Sequence, residues 1–237
     1  MYWCFIIIRK MKPHVTFKLD YKRDARNYWK AANSTPAWGY DFSKVVLPKI
    51  KEKVKGKSWD KSKDYLYSLL RKNYKRDGKM INLVNKHFSE AWNLIEDEYF
   101  KRLAKIMKKP IYTNKFTAYI TTIKRYPYNE KEDSFMVGFW ESTVSTLLTA
   151  AHEIMHLQFY KYYWKQCRKE LDNDKTDDLK EAFTVLLNKE FLDLIVHRDD
   201  GYPKHQKLRQ YLAKQWDKTH DFNEVLGKGI SYLKKQG

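Results

Sequence analysis

Apolar residues recur every three or four positions through most of the chain, and this spacing predicts a largely helical protein. The clearest stripe lies between residues 142 and 164, and a second lies between residues 177 and 196. Helical spacing also runs, with breaks, through residues 41–109 and returns after residue 206. Each stripe is wide enough to bury one face of a helix against a common core.

Three segments depart from the helical pattern and predict strands. Residues 14–20 alternate apolar and polar side chains, as a half-buried strand does. Residues 111–125 and 135–140 are rich in Thr, Tyr, Phe and Ile, and a turn-forming sequence at 126–129 separates them. We expect these two strands to be joined by that turn, within an α+β fold in which helices dominate a small sheet.

Pro110 marks the point where the helical pattern gives way to the strand pattern. We therefore expect three parts in the chain. Residues 1–109 form a basic, mainly helical N-terminal region, residues 110–200 form a module of strands and helices, and residues 201–237 form a helical C-terminal tail.

The charge of the chain belongs mainly to the first of these parts. The formal net charge is +18, and residues 1–109 hold 27 basic but only 11 acidic residues. Such a surface is compatible with a solvated face that keeps the protein in solution, or with a face that binds nucleic acid. Most of the basic residues are lysine, whereas arginine is the more usual reader of bases and phosphates, and this favours the solvated face.

The composition is that of a globular protein. Hydrophobic residues make up 43% of the chain and charged residues 32%, which argues against disorder and against a polytopic membrane protein. The apolar run Cys4–Ile8 is too short to cross a bilayer. Cys4 and Cys167 are too few for a disulfide framework. We expect a cytoplasmic protein without membrane attachment.

The helix predicted over residues 142–164 contains His152-Glu153-Ile154-Met155-His156, an H-E-x-x-H motif. Residues four apart lie on one helix face, so both imidazoles can reach a single metal ion while Glu153 lies beside them. Zinc accepts such nitrogen ligands and activates water, and a neighbouring carboxylate can take the proton of that water. The alternative is a pair of ordinary core or surface histidines.

A third ligand is needed, and residues 179–188 supply the candidate. With Glu181 followed by Ala182, this segment resembles the glutamate helix of the gluzincins, the zinc metallopeptidases of the thermolysin type. The resemblance covers about residues 110–196. It implies a zincin-like fold with a small sheet, an active-site helix and a glutamate helix. It also implies Zn²⁺ as the cofactor, His152, His156 and Glu181 as ligands, and Glu153 as the general base.

The chain also departs from that family. The interval from His156 to Glu181 is longer than in thermolysin, and Val185 stands where thermolysin-like enzymes place an aspartate that orients a ligand histidine. Asp177 and Asp178 are the candidates to replace that aspartate. Glu190 remains an alternative third ligand, because it lies within the apolar stripe and an unpaired carboxylate there needs a partner or a metal.

Two further features would belong to a peptidase cleft. The strand over residues 135–139 immediately precedes the active-site helix, and as an edge strand it would pair with an extended substrate or else be an ordinary buried strand. The oxyanion of the reaction needs a donor. Tyr202, His197 and His205 are the candidates for that donor, without a choice among them.

The leading hypothesis is a zinc metallopeptidase, and more specifically an endopeptidase, that acts on a peptide or protein substrate. The second is a nucleic-acid-associated protein with a basic N-terminal half and a structural or latent zinc site. The third is a pseudoenzyme or a latent zymogen, in which about 40 C-terminal residues would pack over the cleft. The sequence does not predict an oligomeric state.

Overall fold

A computed structural model describes residues 12–236. The run Cys4–Ile8 therefore lies outside the described residues, as does Cys4 itself. The strands are β1 (His14–Leu19), β2 (Lys115–Thr121), β3 (Tyr128–Asn129) and β4 (Ser134–Gly138). The helices are α1 (Tyr21–Ala32), α2 (Pro48–Val54), α3 (Trp59–Arg76), α4 (Gly78–Asn93), α5 (Glu96–Ile106), α6 (Thr143–Tyr162), α7 (Trp164–Cys167), α8 (Asn173–Phe183), α9 (Val185–Glu190), α10 (Leu192–Ile195), α11 (Gln206–Thr219) and α12 (Phe222–Lys234). The expected α+β class, mostly helical with a small sheet, is confirmed.

The sheet has four strands in the order β1-β2-β4-β3. β1 pairs with β2 and β2 with β4 in parallel, whereas β3 pairs with β4 in antiparallel orientation. The sequence pattern suggested that β2 and β4 are simply joined by a turn. The connection over residues 122–133 instead contains β3, which pairs with β4 on the side away from β2. Because β2 and β4 are parallel, a tight turn cannot join them, and the connection takes about a dozen residues.

β2 lies in the middle of the sheet, and its burial pattern reflects that position. Phe116, Ala118 and Ile120 are buried on one face, and Thr117 and Thr121 are buried on the other. Polar and apolar residues alternate along β2, and the two threonines are nevertheless buried, because a strand in the middle of a sheet is covered on both faces.

One hydrophobic core unites elements from the whole described chain. It extends from Val15 in β1 through β2, β4, α6 and α8 to Leu233 in α12. A smaller cluster lies beneath α1 and α3, around Leu66 and Leu70. The C-terminal helices α11 and α12 pack against α8. The site described next is therefore supported from behind by the end of the chain.

The helix predicted over residues 142–164 is confirmed as α6, which begins after the N-cap Ser142. The continuous helix predicted over residues 177–196 is wrong in its extent, because the chain forms α8, α9 and α10 in succession. The first break falls at Thr184, whose hydroxyl donates a hydrogen bond to the carbonyl of Glu181. No helix within residues 12–236 is long and apolar enough to cross a membrane.

Candidate metal centre

Two helices bring the candidate ligands together. α6 carries the H-E-x-x-H motif in its second half, and the Ser142 hydroxyl caps its first turn by accepting from the amide of Ser145 at 3.2 Å. α8 begins at Asp172, whose carboxylate accepts from the amide of Lys175 at 2.7 Å. Both caps fix where the helices start. Because α6 and α8 are in contact, the second half of α6 faces Glu181 near the end of α8.

His152, His156 and Glu181 form one compact group. Oε2 of Glu181 lies 3.2 Å from Nε2 of His156 and 3.6 Å from Nε2 of His152. One ligand atom from each residue lies within 4.8 Å of the other two. Two imidazole nitrogens and one carboxylate oxygen are a donor set suited to zinc. The group can therefore hold a metal ion.

Glu190, the alternative third ligand, does not join this group. Its Oε1 accepts a hydrogen bond from the indole Nε1 of Trp216 at 2.5 Å, and the ring of His220 lies nearby. A carboxylate within the apolar stripe needs a polar partner, and Trp216 on α11 is that partner. Glu190 thus has a structural contact of its own, away from the two histidines.

The surroundings of His156 test whether the group fits a cation. Both its ring nitrogens are buried and have no hydrogen-bond partner among the described residues, because the approach of Glu181 lacks hydrogen-bond geometry. Burial lowers the pKa of His156 to about 3, so the imidazole is neutral and Nε2 can offer a lone pair. A buried acceptor without a donor is costly. A metal ion on Nε2 would resolve that cost for one of the two nitrogens, and the residues fit such an ion.

The carboxylate of Glu181 is held in its ionised form. Burial alone would raise its pKa, but the imidazole of His156, the imidazole of His152 and the ammonium of Lys180 together hold it well below the usual range. An ionised glutamate supplies the negative charge that a divalent cation needs from its ligands. The third ligand position is therefore in the correct protonation state.

Lys180 fixes the orientation of that carboxylate. Its side chain is buried, and Nζ lies 3.3 Å from Oε1 of Glu181, 2.8 Å from the hydroxyl of Tyr128 and 3.0 Å from Asp177. With Oε1 attracted to Lys180, Oε2 faces the histidines. No pattern in the sequence predicts this role, since lysines are frequent along the chain and lysine is rarely buried in proteins.

Asp199 orients His152. Its Oδ2 lies 3.2 Å from Nδ1 of His152, which leaves Nε2 of that ring to face Glu181. Burial alone would lower the pKa of His152, but the Asp199 carboxylate raises it well above the usual value. Asp199 is itself fixed by Arg209 of α11 and by the side-chain amide of Asn188. An acid behind a ligand histidine is common in metal sites.

The prediction that Asp177 or Asp178 orients a ligand histidine is therefore wrong. Asp177 accepts from Lys180, and Asp178 pairs at 2.9 Å with His205, which belongs to neither metal-ligand position. The orienting acid instead lies 18 positions beyond Glu181, in the loop after α10. No helical spacing points to it, because a loop brings it back.

Glu153 lies beside the group and lines the same cleft. Its side chain is almost completely buried, and burial raises its pKa to about 8. A carboxyl group with a raised pKa close to a metal-ligand group is typical of a general acid or base. The local H-E-x-x-H spacing places it here.

The cleft has a volume of about 630 Å³. This lies within the range of roughly 300–1,000 Å³ typical of ligand pockets. Its rim is formed by residues 126–128, which lead into β3, and other parts of the lining come from Trp38 and Tyr202. The prediction that residues 135–139 form the substrate-facing edge strand is wrong, because β4 lies between β2 and β3. The short β3 occupies that edge.

The structure separates the three candidate oxyanion donors. Tyr202 lines the cleft. His205 is buried against Asp178, and His197 is exposed with Nδ1 next to the carbonyl of Arg198. Among the described residues, none beyond Tyr202 lines the cleft. Since α11 and α12 pack in the core instead, the expectation that the tail covers the cleft is wrong.

Comparisons with known proteins give no relative for this chain: no family model, no curated protein and no solved structure matches it. The site therefore has to be judged on its own residues.

Proposed function

We propose that this protein is a zinc-dependent peptidase of the gluzincin type, with His152, His156 and Glu181 as zinc ligands. The observation that carries the proposal is the convergence of these three side chains, from two helices, around a buried histidine that has no hydrogen-bond partner within residues 12–236. The general base of the H-E-x-x-H motif lies in the same cleft. Structural zinc sites usually lack such a cleft and an adjacent free carboxylate.

The residues of the chain divide the work as follows. His152, His156 and Glu181 would hold a zinc ion, which would supply the Lewis acidity that activates water and polarises the peptide carbonyl. Glu153 takes a proton from the attacking water and delivers it to the leaving amine. Asp199 and Lys180 hold His152 and Glu181 in position.

Tyr202 is proposed as the donor to the developing oxyanion. Burial raises the pKa of its hydroxyl, so the group stays protonated and can donate at neutral pH. A donor aimed at the oxyanion is worth roughly 10²–10³-fold in rate where it has been removed from other enzymes. Tyr202→Phe should therefore lower kcat and leave zinc binding unchanged.

The first experiment measures zinc per chain in the purified protein. We expect about one zinc in the wild type, and severe loss in His156→Ala and in Glu181→Ala, because each variant removes one of three ligands. Glu190→Ala is the matched control and should keep its zinc. A wild type that takes up no zinc, even after reconstitution, would refute the proposal and direct attention to the basic N-terminal half.

The second experiment separates hydrolysis from metal binding. Glu153→Gln should keep its zinc but lose peptide hydrolysis by on the order of 10²–10⁴-fold, because the amide cannot accept the proton. The substrates are quenched fluorescent peptides with blocked ends. Full turnover by Glu153→Gln would contradict the proposed mechanism even if the zinc site were correct.

A further inference from the structure

Arg125 lies in the cleft with a charge that the described protein does not neutralise. Its Nη1 donates to the side-chain oxygen of Asn27 at 2.7 Å, which is a neutral acceptor. No carboxylate among residues 12–236 lies within ion-pair distance of it. A guanidinium has five N–H donors, so most of this fork is left without an acceptor from the described chain.

The other cations of the cleft differ from Arg125. Lys180 has Asp177 and Glu181 as partners, and Lys124 lies 3.6 Å from Glu141. A charge removed from water without a counterion is costly, and proteins seldom retain one without a use. Arg125 is half-buried, and burial lowers its pKa, although an arginine still remains charged.

The guanidinium is also held in place before any ligand arrives. Asn27 bonds both to Nη1 of Arg125 and, through its own amide, to the Arg125 carbonyl at 2.8 Å. The ring of Phe42 lies 5.7 Å from the guanidinium carbon. An oriented fork next to an aromatic ring binds carboxylates in a bidentate manner at little entropic cost.

Arg125 is close to the reacting part of the cleft. It directly precedes the rim at residues 126–128, and both Glu153 and Tyr202 are near enough to act electrostatically on its charge. A peptide running along this rim would therefore bring one of its own groups to Arg125. The favourable group is an anion.

We propose that Arg125 selects peptide substrates that carry a carboxylate, either at the C-terminus or on an acidic side chain near the scissile bond. This inference rests on the proposed peptidase function and names its substrate class. A bond between a guanidinium and a carboxylate is about twice as strong as one between neutral groups. We expect it to favour the charged peptide by about ten- to a hundredfold.

The test measures binding first, so that it does not depend on turnover. The protein is zinc-loaded, full-length Glu153→Gln, and the probes are fluorescent hexapeptides of Ala, Leu and Phe. In one pair the two peptides differ only at the C-terminus, which is a carboxylate in one and a carboxamide in the other. In every other pair both peptides end in a carboxamide, and one carries Glu where the other carries Gln, at each position in turn. The dissociation constant of each peptide is measured by fluorescence anisotropy.

We expect at least one charged peptide to bind ten- to a hundredfold more tightly than its neutral partner. Preference for the free C-terminus would assign a carboxypeptidase-like mode, and preference for an internal Glu would assign an acidic side-chain pocket. Adding Arg125→Gln should abolish the preference, and adding Arg125→Lys should retain part of it. Adding Lys124→Gln removes a neighbouring cation that already has a carboxylate partner, and it should leave the preference intact.

Equal binding of charged and neutral peptides would overturn the inference, and so would no measurable binding of any of them. A preference that survives Arg125→Gln in a folded protein, checked by thermal unfolding, would also overturn it. Turnover by the wild type decides the other question. Selective binding without turnover would leave the carboxylate site standing while the peptidase proposal fails, and turnover without selectivity would do the reverse.

Discussion

Two of the buried acidic clusters among residues 12–236 differ in how their polar atoms are satisfied. Asp24, on α1, is fully buried beside the end of β2, and its carboxylate accepts from Thr121 Oγ1 at 2.6 Å, Thr122 Oγ1 at 2.7 Å and Tyr74 at 3.2 Å. The hydrogen-bond acceptors of this carboxylate are satisfied by neutral hydroxyl donors. In the metal centre, His156 has two buried nitrogens that no described residue satisfies.

The difference shows how to distinguish a structural cluster from a functional one. A buried polar group that is fully hydrogen-bonded contributes to a single well-defined packing, and nothing else has to bind. A buried group that lacks its partner is costly unless a ligand supplies the partner. By this criterion Asp24 stabilises the fold, and the group of His152, His156 and Glu181 can bind a cation.

Asp24→Ala gives the largest expected effect on stability. It leaves the donors from Thr121, Thr122 and Tyr74 buried without an acceptor, so the free energy of unfolding should fall by about 3 kcal/mol. Urea unfolding checks this value, and zinc per chain should stay unchanged. Asp60→Ala, which removes an exposed acid from α3, should leave the unfolding midpoint where it is. Loss of zinc from folded Asp24→Ala would contradict the distinction between a structural cluster at Asp24 and a separate metal-binding group.

Asp199→Asn should weaken metal binding, and thermal unfolding checks that the protein stays folded without the carboxylate that pairs with Arg209. The amide is a weaker acceptor for Nδ1 of His152, and changes behind a ligand typically weaken metal affinity by about 10–100-fold. A competition titration with a chelator measures the affinity. Asp178→Asn alters a similar acid and histidine pair, Asp178 with His205, and zinc affinity should not change. Equal weakening in both variants would mean that the two pairs do not differ in function.

The smallest effect concerns pH in the metal-free protein. The folded-state pKa of Glu153 is raised from 4.5 to about 8 by burial. The stability from this group is therefore complete below pH 4.5 and is lost as the pH rises through 8. Between pH 6.5 and 9, the wild type should lose about 2 kcal/mol relative to Glu153→Gln.

His156 does not add to the difference in this window, because its folded-state pKa is lowered from 6.5 to about 3 and its titration in the unfolded chain is common to both proteins. Urea unfolding of both proteins at several pH values in the presence of a chelator measures the difference. A constant difference across the window would show that Glu153 is ionised throughout, and the metal centre would then be less desolvated than its burial indicates.

The local part of the site could be predicted from the sequence, because helical spacing alone places His152, Glu153 and His156 on one face. Glu181 was found through its resemblance to a family, and the structure puts it beside both histidines. Asp199 was missed because a loop, not a helix, returns it to the site. Periodicity carries no information about such a return.

The fold shows the same limit. The strand and helix segments around α6 follow from hydrophobic patterns, but the parallel pairing of β2 and β4 depends on the path of the connection between them. The break at Thr184 depends on a side chain that bonds both to the Glu181 carbonyl and to Arg209. Neither contact is visible in a pattern of apolar positions.

The contact between Arg209 and Asp199 also has a consequence for biosynthesis. Arg209 lies on α11 and fixes the acid that orients His152, so an early ligand in the chain depends on a late helix. A nascent chain on the ribosome would carry the H-E-x-x-H helix long before α11 emerges. The group is therefore completed only after α11 has emerged, and until then the nascent chain lacks the contact that holds Asp199 next to His152.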